Sequence, residues 1–135
     1  MGKVTTTDDA TVVVIKSILL DDSSSTATGV TFPDSATYTV TAHYNGTWIT
    51  GAGGTEVDGA AYILTGTYRQ AGAAGGTLTL IGSVTTVHSA ESAAFTSCTP
   101  AFVINGKWLE VSVDGDASSE ISWTVTIDIT WSGGY

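Results

Sequence analysis

His88, Ser89 and Glu91, in the run HSAES (88–92), are the three residue types that hydrolases use as base, nucleophile and orienting carboxylate. Acyl transfer by such a set needs the hydroxyl, the imidazole and the acid converged in space, and closeness in sequence does not supply that. The strand-turn-helix pattern G-x-S-x-G, which lifts a nucleophilic serine out of a sheet, occurs nowhere in the chain. These residues are expected to be solvated. Asp114, Asp116 and Glu120 share one turn and could offer oxygen ligands to calcium. They lack the twelve-residue loop with glycine at its sixth position, so a solvated hairpin turn is the expectation. His43, His88 and Cys98 are too far apart for the usual zinc spacing. The residue types therefore assign no catalytic, cofactor-binding or metal-ligating side chain, and no enzyme activity and no cofactor is expected.

Aromatic residues carry the remaining functional signal. Trp48 and Trp108 are candidate interface residues, with Val103 beside Trp108. Exposed aromatics serve subunit contacts or stack on sugars; the competing reading is a second sheet covering that face.

The elements that must position these residues are strands. Apolar residues at helical spacing are hard to find, and β-branched residues dominate. In EISWTVTIDITW (120–131), Ile121, Trp123, Val125, Ile127, Ile129 and Trp131 fall on one parity, and hydroxyls with Asp128 fall on the other. That alternation marks a half-buried strand whose apolar row packs on an opposing sheet. ATYTVTAHY (36–44) alternates in the same way and places His43 among threonines. Asn45-Gly46 then predicts a tight turn with TWIT (47–50) as the return strand, and that reading displaces the glycosylation sequon Asn45-Gly46-Thr47. Strands are also predicted over 11–20, covered on both faces, and over 60–70 and 77–87. A hairpin is predicted around Asn105-Gly106. A two-residue loop there sets Ile104 opposite Lys107, Val103 opposite Trp108 and Phe102 opposite Leu109, with Phe102, Leu109, Val111 and Val113 on the core face. The last three strands are expected to form a meander. The whole reads as an all-β, antiparallel, jelly-roll-like β-sandwich of seven or eight strands, with an N-terminal arm at 1–10 and a single domain at 11–135.

Composition narrows the partners. The chain has 135 residues, enough for one domain, and 42% of them are hydrophobic. Four basic residues against thirteen acidic ones give a net charge of −9. Nucleic acid and anionic membrane surfaces both need a cationic footprint, so neither is expected as a partner. Cys98 is the single cysteine, which excludes an intrachain disulfide and fits assembly in a reducing compartment. The short apolar run near the start follows two acids and does not read as a cleavable signal.

Taken in order, TTTDDAT (5–11), GAAYILTGTYR (59–69), GGTLTLIGS (75–83), the acid in SAES (89–92) and LEVSVDGDASSEISW (109–123) resemble a small β module of bacteriophage virion structural proteins, found on tail fibres and at particle surfaces. The likeness runs from about Thr5 to Trp131. Ser92 and Phe95 stand where similar modules carry a second acid and a tryptophan. The family outline has no catalytic residues to transfer. The resemblance implies a non-enzymatic virion protein, assembled in the bacterial host cytoplasm, with other virion proteins as partners and a homo-oligomer, a trimer by preference. One reading is a capsid decoration or head-fibre protein that binds and stabilises the assembled particle, its chain being the module alone. The alternative is a tail-fibre or receptor-binding module that meets host glycan through Trp48, Tyr44 and the loop GAGGTEVDG (51–59).

Trp123 lies at the centre of the best-patterned strand. Trp123→Ala is expected to cost about 3–5 kcal/mol, measured by urea unfolding; a loss under about 1 kcal/mol would place that row outside the core.

Overall fold

A computed structural model of the chain describes residues 2–7, 12–19, 36–70, 78–106, 108–116 and 119–133, the first two segments as backbone alone. The alternating runs form strands: β1 (Gly2–Thr7), β2 (Val12–Leu19), β3 (Ala36–Gly51), β4 (Gly59–Gln70), β5 (Leu78–Glu91), β6 (Thr99–Asn105), β7 (Trp108–Asp114) and β8 (Ser119–Gly133). A single 3₁₀ turn, Ala93–Phe95, joins β5 to β6 among the described residues. The strands make a five-stranded sheet in the order β1-β8-β3-β4-β5 and a three-stranded sheet in the order β2-β7-β6, antiparallel at every pairing. The expected all-β antiparallel architecture is the one observed.

The connectivity has two styles. β1 lies beside β8 in one sheet and β2 beside β7 in the other, so the two ends of the chain cross between layers as paired ribbons, as in a jelly roll. The middle, β3-β4-β5, stays in one sheet as a meander. The predicted meander of the last three strands is therefore corrected: β8 leaves β7 and inserts between β1 and β3. Packing explains the switch. Leu109, Val111 and Val113 of β7 and Ile121, Trp123 and Val125 of β8 are all fully buried. Placed in opposite layers, the two rows close on one another; side by side they would share a face and leave it uncovered. The stretch expected to be an arm at 1–10 includes β1, whose Thr5 pairs with Ser122 and Gly2 with Val125; the rest of 1–10 lies outside the described residues. β2 is an edge strand, and the expected cover over both its faces falls outside the described side chains.

The core row of β3 is Ala36, Tyr38, Val40, Ala42, Tyr44 and Trp48, and it meets Tyr62, Leu64 and Tyr68 of β4. Between Tyr44 and Trp48 the predicted turn at Asn45-Gly46 is absent. β3 runs straight through it, with Gly46 opposite Ala60 on one side and Trp123 on the other. Gly46 is not among the glycines of positive φ, which among the described residues are Gly51, Gly82 and Gly106. Its role is clearance: a Cβ there would sit 2.6 Å from Trp123 Cζ3 and 2.9 Å from Phe95 Cε1. The tryptophan ring lies against bare backbone.

The second Asn-Gly does close a hairpin, one position later than predicted. Gly106 has φ 63° and Asn105 lies opposite Trp108. Ile104 then pairs with Leu109, Val103 with Glu110 and Phe102 with Val111. Each β6 residue meets a partner two places further along β7 than predicted, so every side chain keeps its face.

The two glycines separate in their tolerance of substitution. Gly46→Ala is expected to lose about 1–3 kcal/mol through overpacking. Gly106→Asn, in open space and in a conformation asparagine accepts, is expected to lose under about 1 kcal/mol. Urea unfolding of the two variants checks this, and equal losses would contradict the packing role of Gly46.

Candidate interaction surface

One end of the sandwich is built on aromatic rings. Phe95, delivered by the 3₁₀ turn, meets Trp48 at 5.7 Å and 77° and Trp123 at 5.6 Å and 85°, edge to face in both cases. Tyr62 stacks on Trp123 at 6.2 Å and 26°. The loop after β3 folds down on this pile. Cβ atoms at Gly54 would fall 2.7 Å from the Trp48 ring, and at Gly53 3.1 Å from the Asp116 carboxylate. The Trp48 backbone N–H donates to the Asp58 carbonyl at 3.1 Å, and the Asp58 carboxylate accepts from the Thr55 backbone N–H at 2.7 Å. That bond to Thr55, with help from the Ser92 and Thr55 hydroxyls, holds the Asp58 carboxyl below the usual range.

Carboxylates at this pole fasten loops to one another. Asp116 accepts from Ser97 Oγ at 2.6 Å and from Ser119 Oγ at 3.1 Å. Asp114 accepts the Thr99 N–H. The Tyr62 hydroxyl donates to Glu91 at 2.5 Å; burial first, then the Glu91 bond, raise that phenol above its usual range. Among the described residues no group of three or more His, Cys, Asp or Glu side chains is placed to hold a metal ion. The hydrolase-like residues do not converge either. His88 and Ser89 are successive residues of β5 and project to opposite faces, while Glu91 is engaged by Tyr62.

The aromatic expectations divide. Trp48, read as an interface or glycan residue, is 1% exposed and belongs to the core. Tyr44, its partner in the glycan reading, is equally buried and donates across the sandwich to the Ala101 carbonyl at 3.2 Å. The cause is β3 running straight where a turn was predicted, which keeps both residues on the inner parity. Trp108 is half-buried on the outer face of the smaller sheet. Val103, 43% exposed, lies diagonal to it on the same face. The exposed aromatic that the sequence pattern assigned to the core is Trp131, 50% exposed at the far end of the β8 apolar row. Its position near the end of the long β8 is where the sequence pattern gave no warning.

The outer face of the larger sheet is an array of hydroxyls. Thr130, Thr39 and Thr67 lie directly opposite one another across β8, β3 and β4. Thr41 and Thr65 are joined Oγ1 to Oγ1 at 3.0 Å. His43 sits within this array, 3.8 Å from Asp128. Along the sandwich flank, β5 and β6 expose Ile81, Val87, Val103 and Ile104. No helix among the described residues is long and apolar enough to cross a membrane.

Cys98 is buried, and burial, with Asp116 and Asp114 nearby, pushes its thiol from 9.0 up to about 11. At neutral pH its thiolate fraction is then about a hundredfold below that of an unshifted thiol. Labelling by a disulfide reagent is expected to be at least that much slower in the folded protein than in urea. Comparable rates in the two states would contradict a buried thiol.

No protein-family model matches the chain, and no curated protein matches it in sequence. Among solved structures, the chain is similar to the tailspike protein of Acinetobacter baumannii phage AM24, with a TM-score of 0.50 and 14% identity. The match covers 97% of this chain and 26% of that one, so the chain spans about a quarter of the tailspike's length. At this identity what the two share is a fold.

Proposed function

We propose that the chain is a non-enzymatic structural protein of a phage particle, a β module that binds the assembled particle surface and stabilises it in the manner of a capsid decoration protein. The observation that carries the reading is the fold agreement with a phage tailspike over nearly the whole chain. The surface chemistry is compatible with it: a broad hydroxyl face, few charges and exposed edge strands give neutral area for contact with neighbouring proteins. A module that binds only the assembled shell shifts the equilibrium towards that shell by mass action.

A second reading, a tail-fibre or receptor-binding module, is favoured by the neighbour's being a tailspike. It requires a different glycan contact from the one read in the sequence, because Trp48 and Tyr44 are buried. Trp131 is the described aromatic with the exposure to stack on a sugar.

Copy number and location on purified particles, by quantitative mass spectrometry and electron microscopy, test the proposal. Decoration predicts on the order of hundreds of copies on the head, as mass-action stabilisation of a shell requires. A few copies that are lost with the tail would select the second reading. Glycan binding abolished by Trp131→Ala would do the same, and turnover of a polysaccharide would overturn both.

A further inference from the structure

The chain holds two Asn-Gly steps, Asn45-Gly46 and Asn105-Gly106, and the dipeptide carries chemistry of its own. The glycine nitrogen has no side chain beside it to block attack on the carboxamide carbon of the preceding asparagine. Both asparagines are exposed, so exposure does not separate them. The backbone does. Asn45 lies within β3, opposite Ala61 on one side and Thr124 on the other. Gly46 is buried between Ala60 and Trp123, with the Trp123 and Phe95 rings against it. Asn105 is the last residue of β6, and its pair with Trp108 is the final step of the β6–β7 ladder. Gly106 is exposed, stands outside both strands at φ 63°, and a Cβ built on it would meet nothing within 4 Å among the described residues.

We infer that Asn105 is a site of spontaneous deamidation and isoaspartate formation, and that the fold protects Asn45 from the same reaction. The Gly106 amide nitrogen loses its proton and its lone pair attacks Cγ of Asn105, forming a C–N bond. The Cγ–Nδ2 bond breaks, and Nδ2 takes up the proton and leaves as ammonia. The product is a five-membered succinimide. Water then opens the ring at one of its two carbonyls. Opening at Cγ gives aspartate; opening at the main-chain carbonyl gives isoaspartate, with the main chain rerouted through the side chain. Water enters, ammonia leaves, and nothing is oxidised or reduced.

Ring closure swings the glycine nitrogen towards the side chain, which turns the asparagine ψ away from the strand value of about +135°. At Asn105 that rotation frays the terminal pair of one ladder, and openings of this kind cost little. At Asn45 it breaks β3 from both neighbours and moves Gly46 against the Trp123 ring, which amounts to opening the core. The surroundings of Asn105 also give the reaction a consequence. Its Nδ2 donates to Glu110 Oε1 at 2.9 Å, so the reaction sets a new carboxylate beside that acid. The Gly106 carbonyl accepts from the Leu78 N–H at 3.0 Å, which ties the β6–β7 hairpin to β5 of the other sheet. Isoaspartate lengthens the main chain by a methylene next to that tie.

This inference stands apart from the proposed function, because purified protein tests it without a particle. The full chain is held in warm neutral buffer, with and without guanidinium chloride. Conversion at each asparagine is followed by peptide mass mapping with fragmentation that tells isoaspartate from aspartate. In the folded protein Asn105 is expected to convert at least about tenfold faster than Asn45, and in denaturant the two rates fall within about threefold of one another. Gly106→Asn, expected above to keep its stability, slows conversion at Asn105 by at least about tenfold, because a side chain then shields the attacking nitrogen. Equal rates at the two sites in the folded protein, an Asn105 that reacts only in denaturant, or conversion indifferent to Gly106→Asn would overturn the inference.

Discussion

The fold depends on one close approach, the ring of Trp123 lying on the backbone of Gly46. A glycine inside a strand ordinarily weakens it, since it loses the most backbone freedom and packs nothing. Here the missing side chain is what lets β8 bring an indole into the centre of the sandwich without pushing the layers apart. Phe95 and Tyr62 then both pack on that indole, and Trp48 packs on Phe95. Neither the Trp48 nor the Trp123 indole N–H finds an acceptor among the described residues. A buried donor left unpaired costs about 1–3 kcal/mol. The pile is therefore held by area and by ring geometry, with edge-to-face pairs adding about 0.5–1.5 kcal/mol each beyond burial.

That constraint also decides where the molecule is stiff. The loop after β3 rests on Trp48, and Ser92, Ser97, Ser119 and Thr55 tie it and its neighbours to Asp58, Asp116 and Gly59. These acids sit near the surface and act as acceptors for loop hydroxyls and N–H groups, which is a structural use of carboxylates. At the opposite end, β3 and β8 continue together beyond the reach of β1. Among the described residues the sandwich is thus asymmetric along its strands: a charged, looped pole over the aromatic pile, and a pole where β3 and β8 run on together.

Much of this was legible in the sequence, and the failures have physical causes. The alternation in 120–131 and in 36–44 placed the inner and outer faces of β8 and β3 correctly, because a hydropathy period of two is the mark of a strand with one face buried. Asn-Gly was ambiguous. At 105–106 it lies at a hairpin, with Gly106 in the left-handed region; at 45–46 the same dipeptide sits in an extended strand. Nothing local separates the two. The difference is a tryptophan far along the chain, Trp123, and a contact of that range is invisible to a reading by windows. The misread turn carried a further error, since Trp48 placed on a return strand looked exposed and in fact is core. Trp131 was missed for a related reason. Its parity is that of a core residue, but it stands at the far end of the β8 row and is half-exposed.

The asymmetry bears on how such a module can be used. Contacts made through the looped pole are presented on a frame that packing and hydrogen bonds hold in shape, so little conformational entropy is lost on docking there. Contacts made through the outer face at the far end of β8 would instead draw on exposed strand residues, Thr126, Asp128 and Thr130. The first kind of surface favours a specific fit to a partner of fixed shape. Among the described residues, Asp58, Glu91, Asp114, Asp116 and Glu120 lie towards the looped pole and Asp128 lies further along β8, so the two ends offer different residues for contact.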